Sequence, residues 1–229
     1  MTYILHIETA TKVCSVALSK NGQLIQLAEI NEDGYSHGEQ LTCLIEKCLL
    51  QANVTLQEIQ AVSISSGPGS YTGLRIGVST AKGLCYALKI PLIAVDSLVS
   101  LAVVGSKKHP HHVLCPMIDA RRMEVYSAIY SPEFNLLKEI SPDVIDELSY
   151  AEFGQLICFG DGASKLSELW KARKEITIDT SIFPSAAGQV TLAFQHFQNN
   201  KFEDVAYFEP FYLKAFYEPP AKLKTTKPV

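Results

Sequence analysis

The sequence carries little charge and concentrates neither sign. Of its 229 residues, 19% are Asp, Glu, Lys or Arg, and the formal net charge at pH 7 is −4. A protein that binds nucleic acid unaided needs clustered Lys and Arg to displace counterions, so this balance excludes a basic nucleic-acid-binding module. The hydrophobic content of 47% excludes a disordered chain and suffices for a sizeable core.

Long apolar runs and paired cysteines are also missing. The N-terminal stretch has no basic start and is interrupted by Glu8 and Lys12, so we expect neither a secretory signal nor a membrane-spanning helix. No C-x-x-C pair occurs, and every cysteine except Cys43 lies in an apolar run. We therefore expect no disulfide and no metal site in a cytoplasmic protein. The cysteines are Cys14, Cys43, Cys48, Cys85, Cys115 and Cys158.

Hydrophobic periodicity predicts the order β-β-β-α-β-α-β-α for the first half. The dipeptide Asn21-Gly22 supplies a hairpin turn between the second and third strands, and Asp96 or Ser97 caps the last, short helix. The predicted strands are 3–8, 13–19, 23–30, 59–65 and 92–95, and the predicted helices are about 37–51, 71–88 and 97–104.

The second half begins with the same pattern after a polar linker at 105–112. Strands are predicted at 113–119, 124–130 and 135–140, and the segment from Ile7 aligns without gaps with the segment from Ile118. Further on, only a strand at 156–159 and a helix at 185–198 are predicted. The fold class is therefore an α/β duplication of the actin-like ATPase (ribonuclease H-like) type with an abbreviated second half. We expect domains at 1–104 and 113–217 and a flexible tail at 218–229.

The segment from Ser65 to Gly77 is the strongest local motif, and two interpretations of it stay open. It joins a strand to a helix, where phosphate-binding loops occur, and Gly67, Gly69 and Ser70 are its candidate anion-binding residues. However, it matches neither the dinucleotide G-x-G-x-x-G, nor a P-loop, nor a nucleophile elbow. The alternative is a tight turn that lets the helix approach the sheet closely.

The helix at 71–88 predicts either a doubly covered core helix or a subunit interface. Apolar residues surround its whole circumference, and small residues form a stripe that would allow another helix to approach. The predicted interface is shared with the helix at 37–51. Its candidate residues are Gly73, Ile76, Gly77, Thr80, Gly83, Leu84, Cys43 and Lys47.

Evidence for catalysis is thin. Asp119 and Arg121 follow a strand, where they predict either a substrate site or an ion-paired turn. A second histidine one turn after His37 would make a metal site, but Leu41 stands there. The histidines at 109, 111 and 112 are interpreted as part of a solvated linker. The turns after Glu8 and Asp119 lack the glycines that let backbone amides close on phosphate, so we expect no independent catalysis.

Three of these segments resemble the bacterial TsaB (YeaZ) family. They are 7–11, the G-P-G-S-Y-T-G-L-R-I-G run at 67–77, and 118–126, and the resemblance covers about residues 3–130. The glycine-rich run is highly specific. Where the family usually has Asp after the first strand, this chain has Glu8, which weakens any inherited phosphate or metal role there.

The resemblance implies work on tRNA through a partner. Together with TsaC and TsaE, the family helps its paralogue TsaD to make threonylcarbamoyladenosine beside the anticodon of tRNAs that read codons starting with A. TsaD holds the metal through an H-x-x-x-H motif, and the matching stretch here, from His37 to Leu41, lacks the second ligand. A non-catalytic scaffold is therefore expected. It would pair with TsaD through the helices at 37–51 and 71–88, join TsaE in a larger complex, and self-associate when TsaD is absent.

No cofactor is expected on the isolated chain, and ATP, ADP or a metal is expected only in the complex with TsaD. Contact with tRNA would likewise come through the complex, without membrane contact. Two alternatives stay open from the residues: a metallopeptidase-like protein, and a kinase or carbamoyltransferase that acts alone on a small molecule.

Overall fold

The described chain consists of two five-stranded sheets with four α-helices. The structure, a computed structural model, describes residues 1–31 and 37–214. The first half contains β1 (Tyr3–Glu8), β2 (Cys14–Lys20), β3 (Gln23–Ile30), α1 (His37–Ala52), β4 (Ile59–Ser65), α2 (Tyr71–Leu88), β5 (Leu92–Val95) and α3 (Ser97–Lys108). The second contains β6 (Val113–Asp119), β7 (Glu124–Tyr130), β8 (Leu136–Val144), β9 (Leu156–Phe159), β10 (Ile176–Asp179) and α4 (Val190–Gln198).

The two sheets have the same topology. The first has the order β3-β2-β1-β4-β5 and the second the order β8-β7-β6-β9-β10. In each, three strands form an antiparallel meander and the last two add in parallel beside the first strand. The predicted duplication of the actin-like ATPase fold is therefore confirmed.

The abbreviation of the second half lies in its helices. Its sheet is complete, because the unpredicted strand β10 pairs with β9 as β5 pairs with β4. Where the first half has α1 and α2, the second has the 3₁₀ turns Ala151–Phe153 and Ser164–Leu166. Strand β10 was not predicted, because its place in the sheet depends on pairing with β9 rather than on a local pattern.

Each half contributes a helix to the other. Helix α3 packs its Leu98 and Leu101 against Leu114 and Phe159 of the second sheet. Helix α4 packs Ala193 against the first sheet, on the face opposite α1 and α2. The segment predicted as a second domain, 113–217, thus returns to the first sheet from α4 onward.

Helix α3 runs four residues further than predicted, into the expected linker. Asp96 caps its N-terminus, where the carboxylate accepts the amides of Leu98 and Val99 at 2.8 and 3.0 Å. The polar run continues the helix because Gly105 lies against the Phe159 ring, which leaves no room for a side chain. Lys107 and Lys108 then occupy the last turn, where positive charge favours a helix.

The six cysteines occupy two kinds of environment. All six cysteines are free, and Cys43 alone among them is exposed. No helix in the described ranges is long and apolar enough to cross a membrane. The predicted tail at 218–229 lies outside the described residues.

Candidate functional site

The glycine-rich loop between β4 and α2 is a tight turn built on close backbone contacts. Gly67 has φ +111°, and a Cβ there would lie 2.5 Å from the carbonyl oxygen of Phe211. A Cβ on Gly69 would lie 2.4 Å from the carbonyl oxygen of Ala10. Only glycine fits at both positions, because the chain passes on either side of the loop.

The amides of this loop donate to the chain itself. Ser66 donates to the carbonyl of Val95 at 2.8 Å, and Ser70 donates to the carbonyl of Ala10 at 2.6 Å. The Gly67 amide donates to Ser97 Oγ at 3.1 Å, and the Gly73 amide to Ser70 Oγ at 3.2 Å. With these donors occupied, the geometry favours the tight-turn interpretation over the anion site at Gly67, Gly69 and Ser70.

The other half of the predicted anion site is an ion-paired turn. The Asp119 carboxylate accepts the Arg121 amide at 3.0 Å and forms an ion pair with Lys165. Lys165 also donates to the carbonyl of Glu124 at 2.6 Å. Below them, burial raises the pKa of Asp161 to about 6, and its carboxylate accepts the Asp119 amide at 3.1 Å. The geometry therefore favours an ion-paired turn over a substrate site at Asp119 and Arg121.

Glu8, at the end of β1, occupies the position equivalent to Asp119 but is fully buried. One oxygen accepts the Ala10 amide at 2.7 Å, and the other has no hydrogen-bond partner in the described part of the chain. Burial raises the pKa of Glu8 to about 7. A carboxyl group enclosed in this way offers no atom to a ligand at the surface.

Metal-ligating residues do not converge within residues 1–31 and 37–214, where no group of three or more could hold an ion. His37 begins α1, and its Nε2 lies 3.3 Å from the carbonyl oxygen of Val13. Leu41, one turn later, is buried in the core. His109 Nε2 lies within hydrogen-bond distance of an Asp179 carboxylate oxygen, at 2.7 Å, so it anchors the end of α3 to the second sheet.

Helix α2 presents one face to the sheet and one outward, which corrects the expectation of an all-round apolar surface. A Cβ on Gly73 would lie 2.1 Å from the carbonyl oxygen of Thr9, and one on Gly77 would lie 2.2 Å from Thr9 Oγ1. These two glycines therefore admit the chain's own β1–β2 turn. The predicted stripe is divided, and Gly73 and Gly77 are unavailable to another protein.

The outward face of α2 keeps the other part of the predicted stripe. Within residues 1–31 and 37–214, nothing lies within 4 Å of a Cβ built on Gly83, and Thr80 is half-buried beside it. Ile76 and Leu84 are half-buried and pack against the core that α1 shares. The neighbouring helix α1 exposes Cys43 and Lys47. Leu50 and Tyr86, which the sequence reasoning did not single out, are 78% and 83% exposed.

The other flank of α2 is covered by the chain's own C-terminal segment, which the sequence reasoning missed. Lys82 donates to the carbonyls of Ala206 and Phe208 at 3.0 and 3.1 Å. Arg75 donates to the Tyr212 hydroxyl at 3.3 Å and lies over the Tyr71 ring, 4.0 Å from its centroid. No local pattern indicates this placement, because the contacts of Lys82 with the segment join residues more than a hundred positions apart.

This arrangement defines a class of protein with a duplicated actin-like fold. In the described residues, the turns after β1, β4 and β6 form hydrogen bonds with the chain itself, and helices α1 and α2 share a surface that faces outward. A family model described as "TsaD: tRNA N6-adenosine threonylcarbamoyltransferase" matches residues 32–223. The tRNA threonylcarbamoyladenosine biosynthesis protein TsaB of Escherichia coli is 30% identical over 219 residues, which cover 92% of this chain and 94% of that protein. TsaB of Bacillus subtilis is 36% identical over 141 residues, 61% of this chain and 60% of that protein.

Solved structures agree with these sequence matches. The structure titled YeaZ from Pseudomonas aeruginosa has a TM-score of 0.77 at 26% identity, and the match covers 93% of this chain and all of that one. A second P. aeruginosa structure, titled as an uncharacterized protein with similarity to peptidase YeaZ, has a TM-score of 0.78 with the same coverage. The chain belongs to the TsaB (YeaZ) family.

Proposed function

We propose that this chain takes part in tRNA threonylcarbamoyladenosine biosynthesis as the non-catalytic partner of a TsaD-type transferase. Membership of the TsaB family carries the first part of the proposal. The division of α2 carries the second. Its buried glycines stabilise the fold, while Gly83 and Thr80 leave a low, accessible surface on which a partner helix could pack.

The features of the β1 region and of α1 support a non-catalytic role. The stretch that resembles the metal-binding H-x-x-x-H motif has His37 beside a backbone carbonyl and Leu41 in the core. Glu8 is enclosed by protein, and the amides of Ser66, Gly67 and Ser70 in the glycine-rich loop donate to the chain itself. The residues that a transferase would need to bind a metal and phosphate therefore make contacts within this chain instead.

The surface of α1 and α2 supports a partner of the same fold. Its exposed residues include Leu50, Cys43 and Lys47 on α1 and Tyr86 and Gly83 on α2. A large apolar or aromatic side chain beside a small one is typical of interface cores, where a knob from one helix enters a gap on the other. The same surface would serve TsaD in the complex and a second copy of this chain when TsaD is absent.

The weak overall charge supports an indirect role on tRNA. With a net charge of −4, the chain has no excess of cations for phosphate. We therefore assign tRNA contact, TsaE binding and any ATP, ADP or metal site to the assembled complex in the cytoplasm.

Co-elution with the TsaD-type partner tests the proposal. Gly83→Arg places a large charged side chain on the open face, and we expect it to abolish co-elution and reconstituted tRNA modification without lowering the melting temperature. Glu168→Arg is the matched control, because Glu168 is exposed in the second half and should leave the complex intact. A Gly83→Arg variant that still co-elutes would move the interface elsewhere.

A stand-alone enzyme is the competing function, and two measurements separate it. Micromolar binding of ATP with magnesium to the isolated chain, measured by calorimetry, would contradict the partner role. Metal-dependent proteolysis by the purified chain would contradict it as well.

A further inference from the structure

A cavity of about 570 Å³ lies where the first sheet, α3 and the β10–α4 connection meet. Its apolar wall includes Val13, Val104, Ile182 and Phe183. Cavities of this size, mostly apolar and with a few polar groups at the seam between two structural units, are the usual form of small-molecule sites. Neither the glycine-rich loop nor the outward face of α2 contributes to it.

The negative charge of the cavity is held in place from both halves. Glu29 Oε1 accepts hydrogen bonds from Ser15 Oγ and from Ser185 Oγ, each at 2.6 Å. Ser15 Oγ in turn accepts the amide of Ala186 at 2.9 Å. Two hydroxyl donors to one oxygen hold the carboxylate in a fixed orientation, because a charge-assisted hydrogen bond is stronger than a neutral one.

The positive charge of the cavity comes from the end of α3. Lys108 is bound by Asp179 at 2.8 Å and by Ser181, so its charge is already balanced within the chain. Lys107 also lines the cavity and is exposed. A ligand would therefore meet Glu29 as the anion of the cavity and Lys107 as its cation.

We propose that this cavity binds a small zwitterion with an apolar body, a ligand of the amino-acid or short-peptide class. Its ammonium group would donate to Glu29, its carboxylate would face Lys107, and its apolar part would lie against Val104 and Phe183. A simple anion would be repelled by Glu29 and a simple cation by Lys107, so the pair selects a molecule with both charges. The inference is independent of the partner role, because it concerns the chain alone.

Calorimetric titration of the full chain tests the proposal with probes of increasing charge separation: phenylalanine, alanyl-phenylalanine and dialanyl-phenylalanine. We expect one of the three to bind saturably, at least tenfold more tightly than its methyl ester or its N-acetyl derivative. These two derivatives each remove one charge from the ligand, so the comparison does not depend on any variant folding. Absence of saturable binding by all three, or equal binding of the ester and the zwitterion, would overturn the proposal.

Variants identify which protein charge each end of the ligand meets. Glu29→Gln should weaken the zwitterion at least tenfold but leave its N-acetyl derivative unaffected. Lys107→Gln should weaken the zwitterion similarly but leave its methyl ester unaffected. Lys171→Gln, exposed in the second half, is the control and should bind as the unaltered chain does. Loss of binding in the control, or none in the other two, would place the ligand outside this cavity.

Discussion

The two halves of the chain share one sheet topology but cover their sheets differently. The first sheet is covered by α1 and α2 on one face and by α4 on the other. The second sheet has α3 on one face, whereas irregular chain and 3₁₀ turns close the other around Tyr150 and Trp170. The two halves therefore share the order of their strands and differ in the helices that cover each sheet.

The ends of the equivalent strands β1 and β6 show the same contrast at the level of one residue. Glu8 is buried with one oxygen lacking a partner in the described chain, whereas Asp119 is accessible and paired with Lys165. An acidic residue kept at the same place in the two sheets therefore has two physical environments. Four substitutions test this contrast between the two halves. The substitution that we expect to cost the most stability comes first.

Trp170→Ala should destabilise the second half most. Trp170 is 3% exposed, contacts Tyr150, and donates from Nε1 to the carbonyl of Asp146 at 2.9 Å. Truncating a buried aromatic side chain costs about 3–5 kcal/mol, and the described part of the chain has no α-helix on this face to compensate. Urea unfolding measures the loss, and hydrogen exchange should accelerate in β6, β7 and β9 more than in β1. Equal acceleration in both sheets would show that the two halves unfold as one unit.

Glu8→Gln should remove a pH dependence that belongs to the first half. With a pKa of about 7 in the folded chain against an ordinary value of 4.5, Glu8 binds its proton more tightly when folded. Its contribution is fully present below about pH 4.5 and is lost as the pH rises through 7, about 2–3 kcal/mol between pH 5 and pH 8.

The variant comparison isolates Glu8 from other groups. Gln cannot ionise and keeps an oxygen for the Ala10 amide, so its stability relative to the unaltered chain should rise between pH 5 and pH 8. Denaturant midpoints at the two pH values measure this difference. An identical pH slope in the two proteins would show that Glu8 is not protonated in the folded state.

Gly77→Ala should cost about 1–2 kcal/mol, although alanine favours helices. Its Cβ would lie 2.2 Å from Thr9 Oγ1 and 2.9 Å from Ile64 Cδ1, so overpacking exceeds the gain in helix propensity. Gly83→Ala is the matched control, because no described residue lies near that Cβ, and it should stabilise the chain by up to about 1 kcal/mol. Thermal unfolding of both variants gives the comparison, and a neutral Gly77→Ala would mean that the β1–β2 turn yields easily.

Asp119→Asn should have the smallest effect, below about 1 kcal/mol, because its ion pair with Lys165 is open to solvent. The effect should shrink further in high salt, since ions screen exposed charge pairs. Denaturant unfolding at two salt concentrations measures it. A cost comparable to that of Trp170→Ala would reveal a structural role that the exposed geometry does not predict.

The sequence pattern predicted the limits of helices and strands best where an element is regular along its own length. The limits of β1, β4, α2, β5 and β6 agree with the predicted ranges, because each is a mostly apolar segment bounded by turn residues. The prediction was poorer for α3, whose last turn depends on a contact between Gly105 and Phe159 that is distant in sequence. Strand β10 was missed because its four residues gain their place by pairing with β9.

Some features of the candidate site could likewise be predicted from the sequence, and others could not. Sequence reasoning found α1, α2 and most of the outward-facing residues, but it could not tell Gly77 from Gly83. Both are glycines on one helix, and only the position of Thr9 decides that the first is filled and the second open. The C-terminal segment along α2 and the cavity at Glu29 were also beyond reach, because each joins residues more than a hundred positions apart.

The sequence by itself determined the duplicated strand order, the family, and the absence of a paired cysteine or a second metal-ligating histidine. These properties follow from residue types and spacing, which need no partner in space. Tertiary structure alone decided which face of α2 is free, which helix covers which sheet, and whether Glu8 or Asp119 meets water. Burial and contact are properties of the packed chain, and equivalent residues of a repeat acquire different chemistry when their surroundings differ.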